Sequence, residues 1–216
     1  MVQSPPSPRL AFSDVVTSPD ELRALLGEVS EGARKKELAA LDHYHQAFIE
    51  RSPFALLATA GAGGRCDVSP RGDAPGFARV HASGALLLPE RPGNRRADSL
   101  LNILANPHVG LLFLVPGWEE TLRVNGRARI IRDADVLDQF AVNGRRPLLA
   151  IAVDVEECFF HCARSFKRAN LWDTEHWIAR DTLPSLSCMV LEQAEITTVT
   201  VAQAEAGLAK SYAELY

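Results

Sequence analysis

The sequence predicts a mainly β fold, an antiparallel barrel with helices at its edge. Six or seven apolar or alternating segments of strand length follow one another between residues 54 and 162. Short glycine-containing turns separate two pairs of these segments, which favours hairpins. Few helices lie between the strands, so the alternation of strand and helix that is typical of a parallel sheet is missing.

The segment before the first strand predicts helices. Residues 1–10 are rich in proline and serine, which is typical of disorder. The stretch "TSPDELRALLG" predicts a short helix with Ser18 as its N-cap and Gly27 at its end. A longer helix is expected from Ser30 to about Arg51, where Ser52-Pro53 ends it.

Two hairpins and a helix follow. "FALLATA" and "RCDVSP", on either side of "GAGG", predict the first hairpin, and "GFARVH" with "ALLLP" predicts the second. In "ADSLLNILANP" the apolar positions 97, 100, 101 and 104 share one helical face, and Asn106-Pro107 ends the helix.

The remaining segments complete the barrel. "VGLLFLVPG" and "ETLRVNGRARIIRD" predict strands, with a bulge or bend at Gly126. A short helix, "DADVLDQFAV", precedes a long strand, "LLAIAVDVEECFFHC", and "ARSFKRANLWD" and the residues from about Ala202 predict helices. We therefore expect a helical extension over 1–51, a barrel over 52–170 and a C-terminal extension over 171–216 that packs on the barrel.

Composition excludes several classes of protein. The net charge of −4 and the pI near 5.9 argue against a nucleic-acid partner. The longest apolar stretch, Val109 to Pro116, is too short to span a bilayer, and no secretion signal is visible. Four cysteines without paired spacing suit a reducing compartment. We expect a soluble cytoplasmic protein without a membrane partner or a metal site.

One local charge pattern indicates a ligand. Arg91, Arg95 and Arg96 crowd a Pro-Gly-Asn turn, and six arginines face only three acids between residues 65 and 96. Asn94 could cap the helix that starts near Arg95, leaving free N–H groups beside the guanidiniums. Arginine forks suit phosphate oxygens, so the pattern favours a small phosphate-bearing ligand. The alternative is a solvated cluster neutralised by Glu90 and Asp98.

The same stretch resembles a known family. A strand, "PGNRRADSL" and then "ANPHVGLLF" is similar to the flavin-phosphate segment of the FMN-binding split barrels related to pyridoxamine 5'-phosphate oxidase. The resemblance extends over about residues 52–170. "SPRGD" and "FFHCARSFKRANLWD" are similar to segments of one subgroup.

The resemblance implies a homodimer with FMN at the interface. Arg95, Arg96, Asn94 and Arg91 would hold the phosphate. Ser69, Arg71 and Gly72 would lie at the ring end, where a donor or cation stabilises the charge of a reduced flavin. In the alternative, Arg71 pairs with Asp73 in an ordinary turn.

A second segment could cover the flavin of the partner subunit. Trp172, with Lys167 and Arg168, would form this lid, although a tryptophan that anchors its helix on the barrel is an equal alternative. No nucleophile motif appears, and no side chain can be named as catalytic.

The resemblance thus implies a flavin-dependent oxidoreductase with NADH or NADPH as a possible electron donor and an unidentified substrate. A deazaflavin-dependent reductase and a flavin-binding or sensing protein without turnover remain as alternatives.

Overall fold

The computed structural model describes residues 12–216, and the chain divides into two units, one up to Lys36 and one from Glu37 to Tyr216. The disorder expected for residues 1–10 lies outside the described residues. In the first unit, helix α1 spans Pro19–Leu26 and α2 spans Glu31–Lys35. The Ser18 hydroxyl caps α1 and Gly27 ends it with a φ of +76°, as predicted.

The long helix predicted from Ser30 to Arg51 is wrong. Leu38 instead forms two backbone hydrogen bonds with Cys158, of 3.0 and 2.8 Å. A new helix, α3, begins only at His43, because the Asp42 carboxylate accepts two N–H groups of its first turn at 2.9 and 3.0 Å. It ends at Arg51, as expected.

Seven strands form one antiparallel sheet in the second unit. They are β1 Phe54–Ala60, β2 Cys66–Gly72, β3 Arg79–Val80, β4 Leu86–Pro89, β5 His108–Leu114, β6 Thr121–Ile131 and β7 Ala150–His161. Their order is β2-β1-β5-β6-β7-β4-β3, and every neighbouring pair is antiparallel. This confirms the antiparallel sheet and both hairpins. Within residues 12–216, no strand pairing joins the two outer strands β2 and β3.

In the second unit, five α-helices besides α3 lie at the periphery of the sheet, as predicted. They are α4 Asp98–Ala105, α5 Ala134–Asp138, α6 Arg164–Ala169, α7 Leu186–Gln193 and α8 Val201–Ala213, with one-turn 3₁₀ helices at Thr174–His176 and Arg180–Thr182. Helix α4 packs against β1, β2 and β6. In the described part of the chain, no helix has the length and apolar character that crossing a bilayer would require.

The bulge predicted at Gly126 is confirmed. The pairing of β6 with β7 shifts between Asn125 and Gly126, so that Glu156 has no partner of its own. A Cβ atom on Gly126 would lie 2.1 Å from the carbonyl oxygen of Asp154. Only glycine allows the two backbones to approach this closely.

The core lies on one face of the sheet. Its fully buried side chains include Leu57, Leu111, Phe113, Leu122, Val124 and Val153. Each such side chain contributes about 1.5–3 kcal/mol when it leaves water. On β2, Ser69 and Arg71 lie opposite Leu57 and Ala55 of β1, so they point to this same face at the edge of the core.

Candidate functional site

The turn between β4 and α4, residues 90–97, contains strained backbone. Arg95 and Ala97 have φ values of +61° and +57°, in the left-handed region that residues other than glycine rarely adopt. Each such residue costs roughly 1–3 kcal/mol, and such strain clusters at ligand sites. The Asn94 side-chain oxygen accepts the N–H of Arg96 at 3.0 Å and so tightens the turn.

The structure corrects the predicted role of Asn94 as helix cap. Helix α4 begins at Asp98, with Ala97 at the N-cap position and no side-chain hydrogen bond to the first turn. Asn94 lies three residues earlier, and its oxygen is bonded to Arg96. Arg95 and Ala97 have left-handed backbone conformations, so neither can belong to a right-handed helix. The helix therefore starts after them and not directly after Asn94.

Arg95 and Arg96 differ in their partners. Arg96 donates to the Asp98 carboxylate at 2.6 Å, and its own side chain is 69% exposed. This hydrogen bond raises the pKa of Arg96 and holds the pKa of the Asp98 carboxyl below its usual range. Arg95 is exposed and makes no hydrogen bond or ion pair within the described part of the chain. The turn therefore presents one uncompensated guanidinium.

Arg91 is the most constrained of the three turn arginines. Its Nε donates to Asp73 at 2.7 Å and a terminal nitrogen donates to the Phe140 carbonyl at 2.8 Å. Its guanidinium also lies over the ring of Tyr216, at 5.3 Å from the ring centroid. The side chain is only 18% exposed, so Arg91 anchors the start of the turn.

Ser69 and Arg71 lie next to each other on one face of β2, and we call them the polar row. Arg71 donates to the Ser69 hydroxyl at 3.3 Å, and this hydroxyl is 3.0 Å from the hydroxyl of Ser99 on α4. Arg71 also forms an ion pair with Glu90, not with Asp73 as the alternative interpretation supposed. Glu90 therefore does not neutralise the turn arginines.

Two ion pairs connect β2 and β4, strands that lie far apart in the strand order of the sheet. Arg71 and Asp73 lie at the end of β2, the first strand in the order, whereas Glu90 and Arg91 directly follow β4, near the other end. We call the pairs Arg71–Glu90 and Asp73–Arg91 the seam. All four side chains are at most 26% exposed, so solvent screens the seam less than it screens surface pairs.

Gly72 lies on the opposite face of β2 from Ser69 and Arg71. A Cβ atom there would lie 3.2 Å from the Phe54 ring and 3.3 Å from the Pro53 carbonyl oxygen. The structure thus gives this glycine a packing reason, and its expected flavin contact stays a prediction.

Sequence reasoning missed two polar residues of α4 that face β2. Ser99 is 4% exposed and contacts Ser69, while Asn102 donates to Thr59 at 3.0 Å and to Asp67 at 2.8 Å. Their spacing of three residues places both on one helical face, which is a signal that the sequence did contain. They hold the polar row of β2 against the helix.

Trp172 and Arg168 lie on a different part of the chain. The Trp172 indole donates to the Trp118 carbonyl at 2.9 Å, and its ring centroid is 5.7 Å from that of Phe166. Lys167 pairs with Glu119 at 2.6 Å, and Arg168 is exposed. None of these partners belongs to β2 or to the arginine turn. Within this chain, Trp172 therefore anchors α6 on the loop before β6.

The cysteines show no metal-binding arrangement. Cys158 is buried, and its thiol contacts the carbonyl oxygens of Leu38 and Ala40 at 3.5 and 3.3 Å. Burial raises the pKa of this thiol to about 11. Within residues 12–216, no cluster of three or more histidine, cysteine or acidic side chains is placed to hold a metal ion.

Two cavities lie away from the arginine turn. One, of about 430 Å³, is lined by α3 and residues 75–80, and the other, of about 370 Å³, by parts of β1, β5 and β6. Neither is lined by a residue that the sequence predicts to contact the flavin.

The match to a protein family agrees with the sequence resemblance. The family described as pyridoxamine 5'-phosphate oxidase matches residues 41–162. A candidate pyridoxamine 5'-phosphate oxidase from Lactobacillus delbrueckii is 21% identical, with 57% of this chain and 98% of that chain covered and a TM-score of 0.45. HupZ from Group A Streptococcus is 17% identical, with 56% and 93% covered and a TM-score of 0.45.

A third solved structure, general stress protein 26 from Bacillus anthracis, is 17% identical, with 53% of this chain and 88% of that chain covered and a TM-score of 0.41. No curated protein sequence matches this chain. The family match covers more than half of the 216 residues. This chain belongs to the pyridoxamine 5'-phosphate oxidase family.

Proposed function

We propose that this protein binds FMN and acts as a flavin-dependent oxidoreductase. The observation that carries the proposal is the uncompensated Arg95, held in a strained turn beside Arg96 at the start of α4. Arg95 and Ala97, two positions apart, both adopt the left-handed conformation, and such local strain favours a ligand turn over a solvated cluster. Membership in the family supports flavin as the class of cofactor.

The arginine turn would hold the phosphate. A phosphate monoester carries about −1.5 to −2 charges and three acceptor oxygens. Arg95 is available at once, and Arg96 could exchange its exposed contact with Asp98 for a phosphate oxygen at little cost. Two charge-assisted hydrogen bonds of roughly 1.5–3 kcal/mol each supply much of the ~8 kcal/mol that micromolar binding requires.

Arg91 and Asn94 would act in the same site from the turn itself. Arg91 uses its Nε and one terminal nitrogen on Asp73 and Phe140, which leaves further N–H donors of its five. Asn94 would hold the turn through its bond to the Arg96 N–H.

The polar row of β2 would lie at the ring end. Arg71 offers a cation and Ser69 a hydroxyl on the face that meets α4. Glu90 ties Arg71 to the turn, and Ser99 ties Ser69 to α4. Bound FMN would supply transfer of a hydride or of single electrons. The chain's own residues would bind the cofactor and place a positive charge beside its ring.

The finer architecture belongs to the same proposal. The seam supports a split barrel, because it joins side chains from β2 and from the end of β4 where no strand pairing is seen among residues 12–216. We infer a homodimer that binds one FMN per subunit at its interface. Trp172 and Arg168 of one subunit would approach the flavin of the other. The exposed Arg168 is compatible with this contact.

The first test is an absorption spectrum, followed by titration of FMN into the wild type and into Arg95→Ala/Arg96→Ala. We expect flavin bands, and a loss of affinity of roughly 100-fold or more in the double variant. The control is Arg129→Ala/Arg146→Ala, which removes two exposed arginines elsewhere on the chain, each of which pairs with a carboxylate as Arg96 does. This control should bind FMN like the wild type.

Two outcomes would contradict the assignment. Equal affinity of the arginine-turn variant and the wild type would place the phosphate elsewhere. Absence of both flavin bands and FMN binding would reject FMN and leave a deazaflavin as the next ligand to titrate. Reoxidation kinetics with NADH or NADPH then distinguish an oxidoreductase, which turns over, from a protein that only stores or senses flavin.

A further inference from the structure

Tyr216, the last residue of the sequence, contacts the seam. Its hydroxyl donates to Asp73 Oδ1 at 2.5 Å, and its backbone oxygen accepts a hydrogen bond from Arg145 at 2.6 Å. The residue is thus held at both ends. The contact with Asp73 spans 143 positions of the sequence. Tyr216, which follows α8, therefore contacts Asp73, the residue directly after β2. Strand β2 carries Ser69 and Arg71, which are predicted to lie at the flavin ring.

Tyr216 supplies one of the hydrogen bonds that stabilise the buried carboxylate of Asp73. The Asp73 side chain is 4% exposed, and a buried carboxylate is costly unless donors surround it. Three donors do so: the Tyr216 hydroxyl, the Ala74 N–H at 2.7 Å and the Arg91 Nε at 2.7 Å. Burial alone would raise the pKa of Asp73, but these hydrogen bonds, that from Tyr216 first, hold it below the usual range.

Tyr216 contacts Arg91 as well. The Tyr216 ring covers the guanidinium, whose other neighbours are Asp73 and the Phe140 carbonyl. A cation above an aromatic face is attracted to it, and the planar guanidinium takes a fixed orientation there. Tyr216 therefore contacts both members of the Asp73–Arg91 pair, the carboxylate through its hydroxyl and the guanidinium through its ring.

We propose that Tyr216 is a positioning residue for the flavin phosphate. By holding Asp73 and Arg91, it fixes where the arginine turn begins and couples docking of the C-terminal segment to the affinity for FMN. This inference rests on the proposed function. Coupling between two sites is reciprocal, so FMN also strengthens the docking of residues 201–216.

The test compares Tyr216→Phe with a matched control, Tyr212→Phe, by titrating FMN and riboflavin into each. Tyr212 lies on α8 and is 60% exposed. Tyr216→Phe removes the hydroxyl and keeps the ring, so we expect FMN affinity to fall on the order of tenfold. Riboflavin lacks the phosphate and should bind both variants like the wild type. The control should leave both affinities unchanged.

The comparison of FMN with riboflavin distinguishes a loss of phosphate positioning from a general loss of structure. A variant that is merely destabilised would bind FMN and riboflavin equally less well, and this outcome would overturn the inference, as would unchanged FMN affinity in Tyr216→Phe. Wild type that binds neither ligand would overturn the proposed function together with the inference.

Hydrogen exchange provides a second readout. FMN should slow the exchange of the amides of residues 201–216 in the wild type, and slow it less in Tyr216→Phe. No effect of FMN on these amides in a wild type that binds it would overturn the coupling alone.

Discussion

At the scale of residues, neighbouring arginines of one short turn have different physical roles. Arg91 is anchored by Asp73, Phe140 and Tyr216, whereas Arg95 has no partner within the described residues. The sequence predicts the charge cluster but not this division. The partners of Arg91 lie 18, 49 and 125 positions away, so only the folded sheet brings them together.

Among the described glycines, Gly126 leaves the least room for a side chain. We expect Gly126→Ala to reduce the free energy of unfolding by about 1–3 kcal/mol, because the new methyl group would overlap the Asp154 carbonyl and force the backbones apart. Urea unfolding measures this loss. Gly63→Ala is the matched control, since a Cβ atom there meets no atom within 4 Å. Equal stability of the two variants would show that the bulge relaxes freely.

At the scale of elements, local signals predicted the bounds of α1 and the end of α3 correctly, and a tertiary contact explains why the predicted long helix is wrong. Ser18, Gly27 and Arg51 bound helices as expected. The segment near Leu38 has helical character in the sequence, yet its backbone pairs with Cys158 at the far end of the chain's last strand. A long-range pairing of this kind overrides local preference and leaves no mark in the local pattern.

The start of α3 provides a test at this scale. The Asp42 carboxylate caps the helix, so we expect Asp42→Ala to lower the free energy of unfolding by about 1 kcal/mol. The control is Asp133→Ala, because Asp133 holds the same position before α5 without a side-chain hydrogen bond. Urea unfolding at pH 7 should separate the two variants.

The Asp42 cap also predicts how the free energy of unfolding changes with pH. The hydrogen bond from the His45 backbone holds the pKa of Asp42 below its ordinary value of 3.8. A lowered folded pKa means that the cap contributes fully above the unfolded pKa and that its contribution disappears as the pH falls through the folded value. The difference between wild type and Asp42→Ala should therefore shrink as the pH falls below about 4. A constant difference down to pH 2 would contradict the assignment.

At the scale of the whole molecule, the strand number, both hairpins and the antiparallel arrangement could be predicted from the sequence. Glycine turns and the alternation of apolar with polar residues are local signals. Gly126, a glycine within a strand, was likewise a local signal for the bulge. The seam could not be predicted, because charge patterns show which residues attract but not which strand ends meet. The same holds for Tyr216, whose partners depend on the path of the entire chain.

The packing of the first residues of the second unit can be checked through the thiols. With a pKa of about 11, Cys158 is a thiolate in roughly one molecule in a thousand at pH 8, and Leu38 and Ala40 cover it. We expect a thiol reagent to modify the exposed Cys66 and Cys162 quickly and Cys158 only on unfolding. Cys158→Ser is the control that identifies the slow site. Rapid modification of Cys158 in the native protein would show that the segment at Leu38 opens readily.

The order of the sheet has a consequence for synthesis on the ribosome. The β3–β4 hairpin, residues 79–89, pairs with the rest of the sheet only through β7, residues 150–161. While the nascent chain is shorter than this, the hairpin has no strand to receive it, although α4 can already pack against β1 and β2. The β4 side of the proposed flavin site, which carries Glu90 and Arg91, can therefore join the sheet only after about three-quarters of the chain has been made.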